Sequence, residues 1–357
     1  MGSLATTRGP SRHGGSSRPC QRGFTLIEVV VVISVITVLM SLILPAVMRA
    51  RESVRRTQCM NNLRQVGIAL QAFESTHQHY PYAFGRGRGF VRSYSPLAEL
   101  LPHLEEDAVY NAINFSKVDP ETAGGGGEWR EVERARARFG RVRIDVFLCP
   151  SDPYARGPEF GGTNYRINLG THATWGCEPF LEDPPDPKGG DGFFYGTISR
   201  NPSIGGRGGA MRDGLSNTVA LAERLVGSAA AGLYPEGNYF SADPSEANGG
   251  CWSRENWIRR CQAITRDSPV VTTMGHGWLY SDYESTNYNH ILAPNSPVPD
   301  CGALYHGVVT SRSWHRGGVN VSMGDAQARF ISEEIDIEVW RALGTRASGD
   351  IVDADAF

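Results

Sequence analysis

The side chain whose position most invites chemistry is Glu28. It is the only charged residue in the run 24–48, FTLIEVVVVISVITVLMSLILPAVM. A charge deep in a bilayer costs roughly 2.5–3.5 kcal/mol by insertion scales and less near the interface, so an acid inside an apolar run marks a functional position by default. A carboxylate kept there needs a cation to pair with. Three other groupings have the right residue types. His77 and His79, with one residue between them, could bind a metal, although a surface pair at a helix end is the plainer reading. Glu182, Asp183 and Asp186 offer the hard oxygens that Ca²⁺ takes, against the plainer reading of a solvated Pro-rich loop. His315 and Asp325 flank an alternating run, 319–323, and meet only if the chain folds back at Arg316-Gly317-Gly318. Otherwise His315 and Trp314 cap a strand start and Asp325 shapes a turn. The sequence contains no H-E-x-x-H, G-x-S-x-G, S-x-x-K or P-loop, so no motif-borne catalytic activity is expected. It has no C-x-x-C either, and neither a structural zinc site nor a bound cofactor is expected.

These residues sit on elements that the pattern makes legible. A bilayer core of about 30 Å needs about 20 apolar helical residues, and the run 24–48 exceeds that. It is too long for a cleaved secretory signal, and no A-x-A-like site follows it. Residues 1–23 contain Arg8, Arg12, Arg18 and Arg22 and no acid. Such a basic flank stays in the cytoplasm and sends the rest outward, although Arg49, Arg51, Arg55 and Arg56 on the far side blur the signal. Beyond Pro45, the residues Val54, Leu63, Val66, Leu70 and Phe73 recur at helical spacing among polar residues, predicting an amphipathic continuation. Pro81 stops it, with His77–Tyr80 as the exit. A helix from Phe24 to His77 would be about 80 Å long at 1.5 Å per residue. The whole chain has 35 Lys plus Arg against 38 Asp plus Glu, a net charge of −3, which excludes a nucleic-acid binder working by bulk basicity. Gly 42 and Pro 21 favour a loop-rich, β-containing remainder over a helix bundle.

The string Arg22-Gly23-Phe24-Thr25-Leu26-Ile27-Glu28 resembles the type IV prepilin and pseudopilin signature. The resemblance implies cleavage by a membrane-embedded prepilin peptidase between Gly23 and Phe24, and methylation of the new amine on Phe24. It implies an assembly role for Glu28, paired with the Phe24 amine of a neighbouring subunit, and a helix kink at Pro45. A second resemblance starts at Gln58-Cys59-Met60-Asn61-Asn62-Leu63-Arg64-Gln65 and covers most of the chain. It continues through Tyr80-Pro81, Leu100–Glu105, Phe147–Asp152, Asp213–Thr218, Glu223, His315–Val321 and Trp340–Arg346. These segments are similar to the pilin-like domain-of-unknown-function 1559 family of planctomycete-type bacteria. His315, Gly317, Gly318 and Asp325 fall in its motifs, and Ala326 departs from its usual Asp-Gly turn. The two resemblances imply an α+β fold, with a long N-terminal helix packed on a mainly antiparallel β-sheet head with long loops. The implied division is a cleaved basic leader 1–23, a helix 24–79 (transmembrane to 48, amphipathic from 49) and a globular head 80–357.

Within the head, strands are expected at 142–148, 192–198, 218–223, 319–323 and 328–331, the 319–323 strand with one face buried. A turn that places its positive φ on Gly324 would accommodate Ala326. Gly-rich segments 84–92, 123–128 and 203–214 read as surface loops. Once Cys20 leaves with the leader, six cysteines remain, an even number that fits disulfides outside the cytoplasm. The expected bridges are Cys59–Cys149, tying helix to head, and one among Cys251, Cys261 and Cys301, with buried free thiols as the alternative. Trp129, Trp175, Trp252, Trp257, Trp278, Trp314 and Trp340 should mostly be core. The functional expectation is a pilin-like subunit: a single-pass bacterial inner-membrane protein, leader cytoplasmic and head periplasmic or extracellular, partnered by the peptidase and by other pilin-like subunits in a homo- or hetero-oligomeric filament. The competing expectation is a membrane-tethered head that binds a glycan or another extracellular ligand, for which a Trp-lined open pocket would speak. A hydrolase would need a buried His–acid pair beside a nucleophile in a cleft.

Overall fold

The computed structural model describes residues 25–83, 94–113, 115, 138–155, 161–173, 190–194, 211–228, 237–241, 253–265, 267–303, 306–350 and 352. It divides into two compact units at Arg51/Glu52. One helix, α1 (Leu26–His77), runs through that division. Its first turn is closed by a reciprocal pair. Glu28 Oε2 accepts the Thr25 backbone N–H at 2.8 Å, and Thr25 Oγ1 accepts the Glu28 N–H at 3.4 Å, the pattern of a capping box. The other end stops where Gln78 takes a left-handed φ of 60° and returns its N–H to the Glu74 carbonyl, just ahead of Pro81.

In the first unit every described residue is exposed, Leu26 through Met48 included. The helix continues across Pro45. Its hydroxyls bond within the helix, Ser34 to Val31 O, Thr37 to Ile33 O and Ser41 to Val38 O at 2.7–2.8 Å. Polar groups satisfied in this way leave a surface compatible with hydrocarbon.

The second unit holds two sheets. The larger has the order β5-β1-β2-β8-β9, from β1 (Tyr165–Asn168), β2 (Val219–Glu223), β5 (Asn287–Tyr288), β8 (Gly318–Met323) and β9 (Ala328–Ser332). Only the β1–β5 pairing in it is parallel. The smaller has the order β4-β3-β6-β7, from β3 (Tyr239–Ser241), β4 (Val270–Val271), β6 (Cys301–Ala303) and β7 (His306–Val308). Short helices complete the described part: α2 (Pro96–Glu99), α3 (Asp107–Ala112), α4 (Arg254–Gln262) and α5 (Ile337–Gly344). The fold is α+β and pilin-like, with mixed sheets that are mainly antiparallel among the described residues.

Residues 52–77 of α1 lie on the larger sheet. Leu63, Val66, Leu70 and Phe73 join one core with Tyr165, Ile167, Leu221, Val319, Val321 and Ile331. Gly67 permits the close approach: a Cβ there would stand 2.5 Å from Ser322 Oγ and 3.0 Å from the Ala326 backbone. Gln71 Nε2 donates to the Gly324 carbonyl, and Arg56 stacks 3.4 Å above the Phe330 ring. Val54, expected in the apolar stripe, is 68% exposed. Glu52, Arg56, Cys59, Asn62 and Leu63 all make contacts in that part of the helix, so the face turned to the head carries polar residues that a purely apolar pattern passes over.

Further expectations change. Residues 142–148 form no strand; Asp145–Phe147 is a 3-10 turn, because the Phe147 and Leu148 N–H groups close local bonds to Ile144 and Asp145. Strand β8 is buried on both faces. Its Asn320 and Ser322 side is covered by α1, where polar residues are tolerated because they are hydrogen-bonded. The positive φ of the β8–β9 turn falls on Ala326 (φ 67°), not on Gly324. Gly324 is needed for proximity instead, since a Cβ would meet Phe193 at 2.7 Å. Residues 191–194 are bends, and 195–198 lie outside the described residues, as do 84–92, 123–128 and 203–210. Trp257, Trp278 and Trp340 are core, while Trp314 is 43% exposed. Trp129, Trp175 and Trp252 are outside the described residues. Trp340 stacks on buried His290, whose Nδ1 donates to the Trp340 carbonyl at 2.8 Å and whose Nε2 accepts from Tyr288 OH at 2.8 Å.

Candidate functional site

Two places concentrate functional side chains, one in each unit. At the start of α1, Glu28 also accepts the Thr25 hydroxyl at 2.8 Å. In the single chain its carboxylate therefore caps its own helix, where the positive end of the macrodipole favours an anion. Gly23 and Phe24 lie outside the described residues. Pro45 leaves the Ser41 carbonyl without its usual helical donor.

The second place centres on His315. Glu52 and Cys59 are seven residues apart on α1, two turns along one face. Cys149 and Ser151 follow the 3-10 turn, Glu223 ends β2, and His315 precedes β8. His315 Nδ1 meets Glu52 Oε1 at 2.8 Å. Its Nε2 faces Glu223 Oε1 at 3.4 Å and Cys149 Sγ at 3.5 Å. Glu223 also accepts the Asn320 backbone N–H at 2.9 Å and its Nδ2 at 3.1 Å. Ser151 Oγ donates to both oxygens of Glu52 at 3.0 and 3.2 Å. Burial disfavours the imidazolium, but the hydrogen bonds and charges of Glu223 and Glu52 outweigh it and raise the His315 pKa.

The loop that delivers His315 is fixed by its own sequence. Gly317 supplies a φ of 82°. Gly318 allows β9 to pair closely, since a Cβ would stand 2.0 Å from the Ile331 carbonyl. Ser313 Oγ accepts the His315 N–H at 3.1 Å and donates to Gly318 O at 2.7 Å. Asp325 belongs elsewhere: it accepts the Gln327 N–H at 2.9 Å and the Ser216 hydroxyl at 2.7 Å. His315 and Asp325 thus serve opposite ends of β8.

Cys59 is joined to Cys149, and Cys261 to Cys301. Cys251 lies outside the described residues, as do Glu182, Asp183 and Asp186. His77 Nδ1 bonds the Phe73 carbonyl at 3.1 Å and its ring stacks on Phe73, while His79 Nδ1 bonds the Tyr80 carbonyl at 2.8 Å. The group that could hold a metal ion is Cys59, Cys149, Glu223 and His315, whose donor atoms all lie within 4.8 Å of one another. As a hydrolytic centre the arrangement has no free nucleophile among its described residues. The Cys149 sulfur is bonded to Cys59, and the Ser151 hydroxyl is directed to Glu52 rather than to the imidazole. Ser151 and Asn320 fall in segments that carry the family resemblance and Glu52 lies at helical spacing from Cys59, but none of these signals showed that the three side chains surround His315.

The chain belongs to the family described as "Protein of unknown function (DUF1559)", whose model matches residues 48–338. A model of the prokaryotic N-terminal methylation motif matches residues 18–44. The type II secretion system core protein G of Escherichia coli (strain K12) is 38% identical over 61 residues, 17% of this chain and 42% of that protein. The protein of the same description from Pectobacterium carotovorum subsp. carotovorum is 36% identical over 67 residues, 19% of this chain and 43% of that protein. The chain thus spans less than half the length of these curated relatives. No solved structure matches. One described helix is long and apolar enough to cross a membrane. Together with the methylation motif, it fits a single-pass inner-membrane protein.

Proposed function

We propose that the chain is a pilin-like structural subunit. A prepilin peptidase cuts it between Gly23 and Phe24 and methylates the Phe24 amine. The leader lies in the cytoplasm and the head, residues 80–357, on the outer side. The helix 24–79 then assembles with other pilin-like subunits into a type II secretion pseudopilus or a type IV-like filament. The observation that carries this reading is the continuity of α1. Exposed apolar residues from Leu26 to Met48, headed by one carboxylate, run without a helical break into residues that the head buries. In a plain tether this carboxylate would do no more than cap its own helix. In a subunit it does more: leaving lipid for a helix bundle, Glu28 exchanges its Thr25 cap for the neighbour's amine, and the pair fixes axial register. The role is that of a substrate and building block, with no catalysis of its own.

Intact mass and N-terminal sequencing of membrane-extracted protein test the first step. A start at methylated Phe24 is the expected result; a start at Met1 or Gly2 means an uncleaved anchor and overturns the reading. The assembly step is tested by Glu28→Ala, which should be cleaved normally but fail to enter cross-linkable oligomers. Unchanged oligomers would remove the register role.

A further inference from the structure

We infer that Cys59, Cys149, Glu223 and His315 form a zinc site whenever the Cys59–Cys149 bond is reduced, so that α1 stays fastened to the head in either redox state. The four donors have the chemistry of a structural zinc set: two thiolates, one imidazole and one carboxylate, all on buried residues.

The distances support this beyond composition. Zinc bonds of about 2.3 Å to sulfur and about 2.0–2.1 Å to nitrogen or oxygen, at tetrahedral angles, place a sulfur–nitrogen pair about 3.5 Å apart and a nitrogen–oxygen pair about 3.4 Å apart. Cys149 Sγ stands 3.5 Å from His315 Nε2, and Nε2 stands 3.4 Å from Glu223 Oε1. The latter is longer than an ordinary N–H···O bond of about 2.7–3.2 Å. Two edges of a tetrahedron are therefore in place. The sulfur–sulfur edge needs about 3.8 Å by the same bond lengths, and reduction frees the sulfurs to part.

Bonds other than the covalent one also hold the segments of the site. The Cys149 N–H donates to Asn164 Oδ1 at 2.9 Å, and the Cys59 carbonyl accepts Tyr165 OH at 3.2 Å. Asn62 Nδ2 donates to the Leu148 carbonyl at 2.9 Å, tying α1 to the Cys149 loop a second time. Glu52, on His315 Nδ1 at 2.8 Å, supplies the carboxylate that zinc-binding histidines usually carry on their other nitrogen, leaving Nε2 for the metal.

The chemistry balances with one named co-reactant. A dithiol reductant gives two electrons and two protons to the disulfide. The Cys59–Cys149 S–S bond breaks to two thiols, and the reductant closes its own disulfide. Zinc then displaces the thiol protons, and any proton on Nε2, to solvent. It is bound by two thiolate sulfurs, Nε2 and Glu223 Oε1. The ligands come from four separate chain segments, so no C-x-x-C spacing announces them.

The test uses the full chain in detergent. It is prepared with a dithiol or under oxidising conditions, equilibrated with zinc, desalted and measured for metal. About one tightly held zinc per reduced chain and almost none per oxidised chain is expected. Cobalt in place of zinc should show thiolate charge-transfer absorption. The double variant Cys59→Ser/Cys149→Ser should lose the metal, and Cys261→Ser/Cys301→Ser should keep it. Glu52→Gln, which leaves all four ligands, should weaken zinc binding about 10–100-fold. Equal zinc in the reduced wild type and the Cys59/Cys149 variant would overturn the inference, as would loss of zinc in the Cys261/Cys301 variant. Unfolding of the head on reduction, read by protease sensitivity with zinc present, would overturn it too.

Discussion

Residues 26–51 and 52–77 belong to one helix and are specified in opposite ways. Among the described residues every side chain in 26–51 is exposed, and burial does not distinguish one Val or Ile from the next. In 52–77 single residues have single tasks: Glu52 meets His315, Cys59 meets Cys149, Asn62 meets Leu148 and Gly67 makes room for Ala326. The first half needs an apolar surrounding from outside the chain; the second brings its surrounding with it. Fully burying a Val, Leu or Ile is worth about 1.5–3 kcal/mol. For 52–77 the head provides that stabilisation. For 26–51 the described head does not provide it, and lipid or other helices can.

Removing the first half should have the largest effect. A chain starting at Glu52 should remain in aqueous solution with its head folded, while the longer chain partitions to membranes; fractionation decides. Retention of the shortened chain in membranes would mean that the head has an apolar surface of its own.

Acid should separate the halves next. Burial pushes His290 down to about 3 from the ordinary 6.5. The folded head thus binds fewer protons than the unfolded chain between those values. The stability that this one group contributes is full above about pH 6.5 and falls as pH drops toward 3, by roughly 4 kcal/mol at about 1.4 kcal/mol per unit. Buried Asp300 acts in the same direction. Its burial disfavours charge, but Arg312 and Arg224, at 3.0 and 2.8 Å, hold its carboxylate below the usual range. Denaturation of the detergent-solubilised chain at several pH values should show the head weakening while helicity from 26–51 persists. His290→Asn should flatten the slope between pH 6.5 and 3.

Matched truncations sharpen the contrast further. Leu63→Ala, at a fully buried site, should cost about 2–5 kcal/mol in head stability. Leu42→Ala, at a site 69% exposed, should change it by less than about 0.5 kcal/mol. Similar values for the two would break the comparison. A smaller effect than that of Leu63→Ala, and of opposite sign, is expected at the hairpin that α1 covers. Ala326→Gly relieves a φ of 67° and should stabilise the head by about 0.5–1 kcal/mol in the same denaturation assay.

What the sequence determined by itself was what depends on local pattern. Twenty-odd apolar residues headed by Glu28 specify a helix fit for a membrane whatever follows. Leu63, Val66, Leu70 and Phe73 mark the face that must be covered. Alternation in 319–323 and the following turn specify a hairpin. Its limits were also local. Val54 fits the spacing yet is exposed, and 142–148 is apolar enough for a strand yet closes a 3-10 turn. Only the tertiary structure decided the surroundings of His315. Its partners Glu52, Cys149 and Glu223 lie 263, 166 and 92 positions away along the chain. Cys149 and Glu223 were legible as a bridge candidate and a family-motif residue, but nothing in their own segments places them beside His315. A buried charge is tolerable only where its partner waits, and that condition is met by the packing of α1 on the sheet, which no local spacing encodes.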